Sequence, residues 1–127
     1  MSILSSLMCL LGCKAQNNSD AKFQTVGVTE FEAIVADSAV ALLDVRTTEE
    51  YAEGHLAKSV NIDVLNSDFE QKTLASIPKE KTVALYCRSG RRSKKAASIL
   101  ASNGYKVVEL GSGYLGWTGE NKPVTKE

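Results

Sequence analysis

The residues best suited to chemistry are Cys87-Arg88-Ser89-Gly90-Arg91-Arg92-Ser93. Cysteine becomes a strong nucleophile once ionised, because the thiolate rather than the thiol attacks. An apolar run, Thr82-Val83-Ala84-Leu85-Tyr86, precedes the cysteine and reads as a buried strand. Lys94 to Ala101 follows and reads as a helix that stops at Gly104. Cys87 therefore sits where a strand ends and a helix begins. Backbone N–H groups at such a junction lack partners in either element, and a curled loop can turn several of them toward one point. The helix adds about half a positive charge at its N-terminus. Such surroundings favour a thiolate and bind an anion.

Within the loop, Arg88 is the side chain expected to contact that anion. Ser89, Gly90 and Ser93 complete the binding loop, with Gly90 taking a backbone shape that a side chain would obstruct. Arg91 and Arg92 lie at the helix start, where cations oppose the dipole. One is expected at the pocket mouth and the other against solvent or a carboxylate. Lys94 and Lys95 are expected on a solvated helix face.

The elements that must position this loop can be read in order. Phe23 to Val26 is a first strand, and Thr29-Glu30-Phe31-Glu32 has the capping-box form, opening a helix through Ala36. Val40 to Val45 is nearly all apolar, as in a strand buried on both faces of a parallel sheet. Thr47-Thr48-Glu49-Glu50 is a second capping box, with a short helix stopping at Gly54. Ser59 to Val64 reads as a strand, and Ser67-Asp68-Phe69-Glu70 opens a helix to about Ser76, before a turn at Pro78. Tyr105 to Leu110 is the last strand, and Gly111-Ser112-Gly113 turns into a short helix carrying Tyr114 and Trp117. Strands alternating with helices give an α/β fold with a central parallel five-stranded sheet and helices on both faces. Ligands in such sheets bind beyond the carboxyl ends of the strands. Cys87 lies at one such end and Asp44-Val45-Arg46 at another, so two chemically rich segments share a rim.

Composition narrows the function classes. The 127 residues allow one domain with a real core. Fifteen basic and fifteen acidic residues cancel, so neither nucleic acid nor an anionic membrane surface is implied as a partner. Residues 1–22 differ from the rest: a short apolar segment from Ile3 to Leu11, then Leu10-Leu11-Gly12-Cys13, then a polar linker. The apolar part is too short to span a bilayer. It resembles a bacterial lipoprotein signal that would leave a lipidated Cys13 and a periplasmic, membrane-anchored protein. A cytoplasmic protein with a frayed N-terminus is the competing reading, since no Lys or Arg precedes the apolar run. If the signal is removed, Cys87 is the only free thiol, and a lone exposed thiol is kept for its reactivity. The three cysteines give no metal-ligand spacing.

At this point the chain resembles a single-domain rhodanese. Leu43-Asp44-Val45-Arg46, Glu49-Glu50-Tyr51, Gly54-His55-Leu56 and Ser59-Val60-Asn61-Ile62 resemble the family's first signature. Cys87 to Ser93 resembles its active-site loop, and Gly111-Ser112-Gly113-Tyr114-Leu115-Gly116-Trp117 its glycine-aromatic-Trp close. The match places the domain at 23–118, with a polar tail at 119–127. Ser112 interrupts the usual glycine pair, and Lys58 replaces a residue that is often small. The resemblance implies a thiosulfate sulfurtransferase without cofactor or metal. Cys87 would take sulfane sulfur from a small anionic donor, form a persulfide and pass the sulfur to a thiol or cyanide.

Other residues take supporting roles in this reading. Asp44 and Arg46 are expected to brace the loop, or to form an ordinary structural ion pair. His55, the only histidine, raises the option of a Cys-His dyad, but its Gly-His-Leu setting resembles a structural position. Trp117 belongs to the core or to the pocket rim. A phosphatase loop needs five residues between Cys and Arg, which would put the Arg at Ser93, so the shorter loop disfavours phosphoryl chemistry. A sulfur carrier that serves a partner is the non-enzymatic rival.

Overall fold

The computed structural model describes residues 22–127. Cys13, the expected lipidation site, lies outside the described residues. Among those described, no helix is long and apolar enough to cross a membrane.

Five strands form one sheet: β1 (Gln24–Val26), β2 (Ala41–Asp44), β3 (Val60–Asn61), β4 (Thr82–Tyr86) and β5 (Lys106–Leu110). Their order is β1-β5-β4-β2-β3, and every pair is parallel. The expected α/β architecture is therefore the one that forms. Alternation along the strands divides the core. Leu43, Val83, Leu85 and Val107 face a layer that holds α3 (Phe69–Ser76) and α4 (Arg91–Ser102). Leu42, Ala84, Tyr86, Val108 and Leu110 face α1 (Val28–Val35) and α5 (Gly113–Gly119). Leu43 and Leu85 are fully buried in the central strands. Each such leucine contributes about 2 kcal/mol through removal of apolar area from water.

Helix α4 shows how sequence pattern seats the loop. Ser93, Ala96, Ala97 and Leu100 recur at i, i+3, i+4 and i+7, and these are its buried residues. Small alanines let the helix lie close to β4 and β5. Helix α2 (Thr48–Glu53) forms with both halves of its capping box: the Thr47 hydroxyl accepts from the Glu50 amide, and the Glu50 carboxylate accepts from the Thr47 amide.

Two expectations need correction. Helix α1 begins at Val28 with Gly27 at its N-cap, so Thr29 lies inside the first turn and its capping box does not form. Burial of Val28 and Phe31 sets that start, not the polar signal. The strand expected over 59–64 is only two residues long. The Asn61 side chain donates to the carbonyls of Asp44 and Arg46, at 3.0 and 2.9 Å, and beyond it only the Ile62 and Val64 amides still reach Asp44 and Val45, without regular strand pairing. The polar C-terminal residues pack back on the domain. Thr125 and His55 exchange backbone hydrogen bonds at 2.8 Å, and the Trp117 indole donates to the Pro123 carbonyl.

Candidate active site at the carboxyl rim of the sheet

Cys87 follows β4 directly and points to the α4 side, sharing an apolar cluster with Val45, Leu85 and Ala96. It is 1% exposed, which corrects the expectation of an exposed thiol. The loop curls over its own cysteine. The Gly90 amide donates to Cys87 Sγ at 3.1 Å, so the sulfur has an apolar floor and a polar ceiling. The amides of Arg88, Ser89, Arg91 and Arg92 have no acceptor among the described residues. These are the unpartnered donors expected at a strand-to-helix junction.

Two glycines make that shape possible. Gly90 has φ +99, and a Cβ there would stand 2.1 Å from the Gly111 carbonyl oxygen. Gly113 has φ +67, and a Cβ there would meet the carbonyl oxygen of Arg88 at 2.5 Å. Close approach at Gly113 lets the start of α5 hold the loop from below. The Tyr114 amide donates to the Cys87 carbonyl at 2.8 Å and the Leu115 amide to the Arg88 carbonyl at 3.0 Å. Loop carbonyls are thus turned toward α5.

The cations divide as expected in part. Arg92 makes a two-pronged pair with Glu50 of α2, at 2.8 and 3.0 Å. Its hydrogen bonds, the largest effect on Glu50, hold that carboxyl down at about 2. Arg88 and Arg91 are exposed and carry no ion pair among the described residues. Ser93 departs from expectation: it is buried and donates to Glu109. Lys94 and Lys95 are exposed as expected, and Lys94 Nζ also pairs with Glu109 at 2.9 Å. The Ser93 hydroxyl is therefore committed to β5 and is not directed at a ligand.

Asp44 and Arg46 form a buried pair on the other face of the sheet. Arg46 Nη2 lies 2.7 Å from Asp44 and 2.6 Å from the Gly54 carbonyl, and its guanidinium sits 4.2 Å from the Tyr114 ring centroid. Burial alone would push Arg46 down; Asp44 outweighs it and holds the guanidinium charged. Tyr86, in register with Asp44, is raised well above an ordinary phenol, first by burial and then by the Asp44 charge. This pair links β2, the end of α2 and α5, so it braces the loop through Tyr114. His55 stacks on Tyr51 at 3.7 Å and its Nδ1 lies 2.8 Å from the Tyr51 carbonyl. Among the described residues none of its hydrogen bonds reaches the loop. Trp117 is a core aromatic, edge-on to Phe31.

Sequence reasoning missed Glu109. It is fully buried on β5 and accepts from Thr25, Ser93 and Lys94. One signal was present: a lone carboxylate inside Val107-Val108-Glu109-Leu110, an otherwise apolar strand. No group of three or more His, Cys, Asp or Glu among the described residues is arranged to hold a metal. A cavity of about 310 Å³ lies at the opposite end of the sheet, lined by Val35, Val40, Lys58, Val60, Ile77 and Lys81 among others, and it includes none of the loop residues.

Comparison with known proteins matches residues 27–120 to the Rhodanese-like domain. The chain is 36% identical over 97 residues to "Thiosulfate sulfurtransferase 18" of Arabidopsis thaliana, covering 67% of this chain and 71% of that one. It is 35% identical over 72 residues to "Thiosulfate sulfurtransferase PspE" of Escherichia coli, covering 56% and 67%. The crystal structure of a rhodanese-related protein from Thermoplasma volcanium superposes with a TM-score of 0.73 at 27% identity, over 83% of this chain and 100% of the other.

Proposed function

The chain belongs to the rhodanese-like family, and from that premise we propose that it moves sulfane sulfur from thiosulfate, or a related anionic donor, to cyanide or a thiol. The observation that carries this reading is the Gly90 amide on Cys87 Sγ, inside a loop whose other amides have no internal acceptor. A sulfur bearing negative charge is stabilised by such donors.

In the first half-reaction Cys87 Sγ attacks the outer sulfur of thiosulfate. A sulfur–sulfur bond forms at the cysteine, the one within thiosulfate breaks, and sulfite leaves with its electron pair. The loop amides, with the unpaired Arg88 and Arg91 at the rim, are the groups available to hold the departing sulfite. In the second half-reaction cyanide attacks the terminal sulfur of the Cys87 persulfide, thiocyanate leaves, and the thiolate returns. Two half-reactions through one covalent intermediate give ping-pong kinetics. Because Cys87 is 1% exposed, a donor must offer its sulfur on a slender end.

A thiosulfate:cyanide assay tests the proposal. Wild type should produce thiocyanate, and Cys87→Ala, which keeps the loop backbone, should produce none above the uncatalysed rate. Equal turnover by the two proteins would refute the assignment.

A further inference from the structure

Glu109 is the buried charged group that the sulfur-transfer chemistry leaves unused. Its surroundings connect it to the cysteine in three short steps. Lys94 Nζ lies 2.9 Å from Glu109 Oε1 and donates to the Gly90 carbonyl at 3.2 Å. Gly90 is also the residue whose amide meets Cys87 Sγ. Ser93 donates to the other carboxylate oxygen, and Thr25 Oγ1 on the neighbouring strand donates to Oε1 at 2.8 Å. Glu109 thus fixes the first turn of α4 at two consecutive side chains while Thr25 fixes Glu109.

The trans peptide is planar, so its C=O and the following N–H point in opposite directions. When Lys94 holds the Gly90 carbonyl, it also sets the direction of the Arg91 amide, one of the loop donors without an acceptor. Glycine adopts a φ of +99 without strain but has many other conformations open to it, so the Lys94 contact selects this one. We infer that Glu109 is a positioning residue for sulfur transfer: through Lys94 and Ser93 it presets the loop amides that receive the anionic donor and its leaving group. This rests on the transfer reading of Cys87, and it adds a residue from β5 that touches neither the cysteine nor the donor.

Charge and positioning predict opposite signs, which makes the inference testable. Glu109→Gln removes a negative charge near an anion site, so through-space electrostatics alone would speed reaction with anions. Loss of the Lys94 clamp should slow it instead. The experiment measures alkylation of Cys87 by iodoacetate and by neutral iodoacetamide, and sulfur loading from thiosulfate, at a temperature where each variant is folded by circular dichroism. We expect Glu109→Gln to lower thiosulfate loading by roughly 10- to 100-fold, the scale of a misaligned donor, and to lower the iodoacetate:iodoacetamide ratio. An unchanged or higher ratio overturns the inference. If Glu109→Gln does not fold, Ser93→Ala, which cuts a tether to Glu109 and leaves every charge in place, carries the test: the same losses at near-native melting temperature support the inference, and wild-type rates overturn it. Both mutations cut one clamp, so the double variant should be no slower than the slower single one. The alkylation ratio needs no sulfur transfer. If thiosulfate fails to load wild type, the transfer reading falls while the positioning result still stands or falls by the ratio.

Discussion

The two ends of the sheet are built differently. At the carboxyl end each buried charge has a partner of matched geometry: Asp44 with Arg46, and Glu109 with Ser93, Lys94 and Thr25. The half-buried Glu50 meets Arg92 there in the same two-pronged way. At the amino end lies a cavity of about 310 Å³, where Lys58 and Lys81 make no ion pair among the described residues. Lys58 also carries φ +71, a left-handed conformation rare for a side-chain-bearing residue. Unpaired lysines mark one end and paired, organised polarity marks the other. In the proposed transfer the thiolate, the persulfide and the leaving sulfite are anions, which are stabilised by donors fixed before the substrate arrives, so the chemistry is proposed for the polar end.

That contrast can be broken or sharpened by substitution. The largest effect should come from Gly113→Ala. The new Cβ would press on the Arg88 carbonyl, and the left-handed backbone adds strain. Stability should fall by about 2–3 kcal/mol in urea unfolding, and sulfur loading should fall by more than about tenfold as α5 releases the loop carbonyls. A variant with near-native loading would show that α5 does not shape the loop.

A smaller effect is expected from the Glu50–Arg92 pair. Glu50 titrates lower in the folded protein than in the unfolded chain, so the pair stabilises the fold above the ordinary carboxylate range and loses that contribution as pH falls toward 2. Arg92→Met should therefore cost about 1 kcal/mol at neutral pH, the value suited to a partly exposed pair, and the gap from wild type should close on acidification. A gap that persists at the lowest pH would assign the loss to packing of the arginine stem.

The smallest effect belongs to the amino end. Lys58→Gly relieves the left-handed backbone and should raise stability by up to about 1 kcal/mol, with thiosulfate turnover unchanged. Altered turnover would mean that the two ends are coupled.

How much of this was legible in the sequence depends on the range of each interaction. The β4–loop–α4 unit and the α2 capping box are local, so Cys87, Gly90 and the Thr47–Glu50 reciprocity could be read directly. Partnerships across the fold could not. Glu109 meets Ser93 and Lys94 only because α4 lies over β5, and Arg92 finds Glu50 forty-two positions away. Thr29 misled because a capping box competes with burial of Val28, and burial won. Exposure of Cys87 also could not be read, since the covering comes from the loop's own curvature.

Intact mass of the reduced protein after incubation with thiosulfate tests the central claim most directly, because it needs no acceptor. Wild type should gain the mass of one sulfur atom, lose it on addition of cyanide, and regain it with fresh donor, while Cys87→Ala stays unchanged throughout. A wild-type mass that never shifts, or a sulfur adduct that persists in Cys87→Ala, would contradict the account.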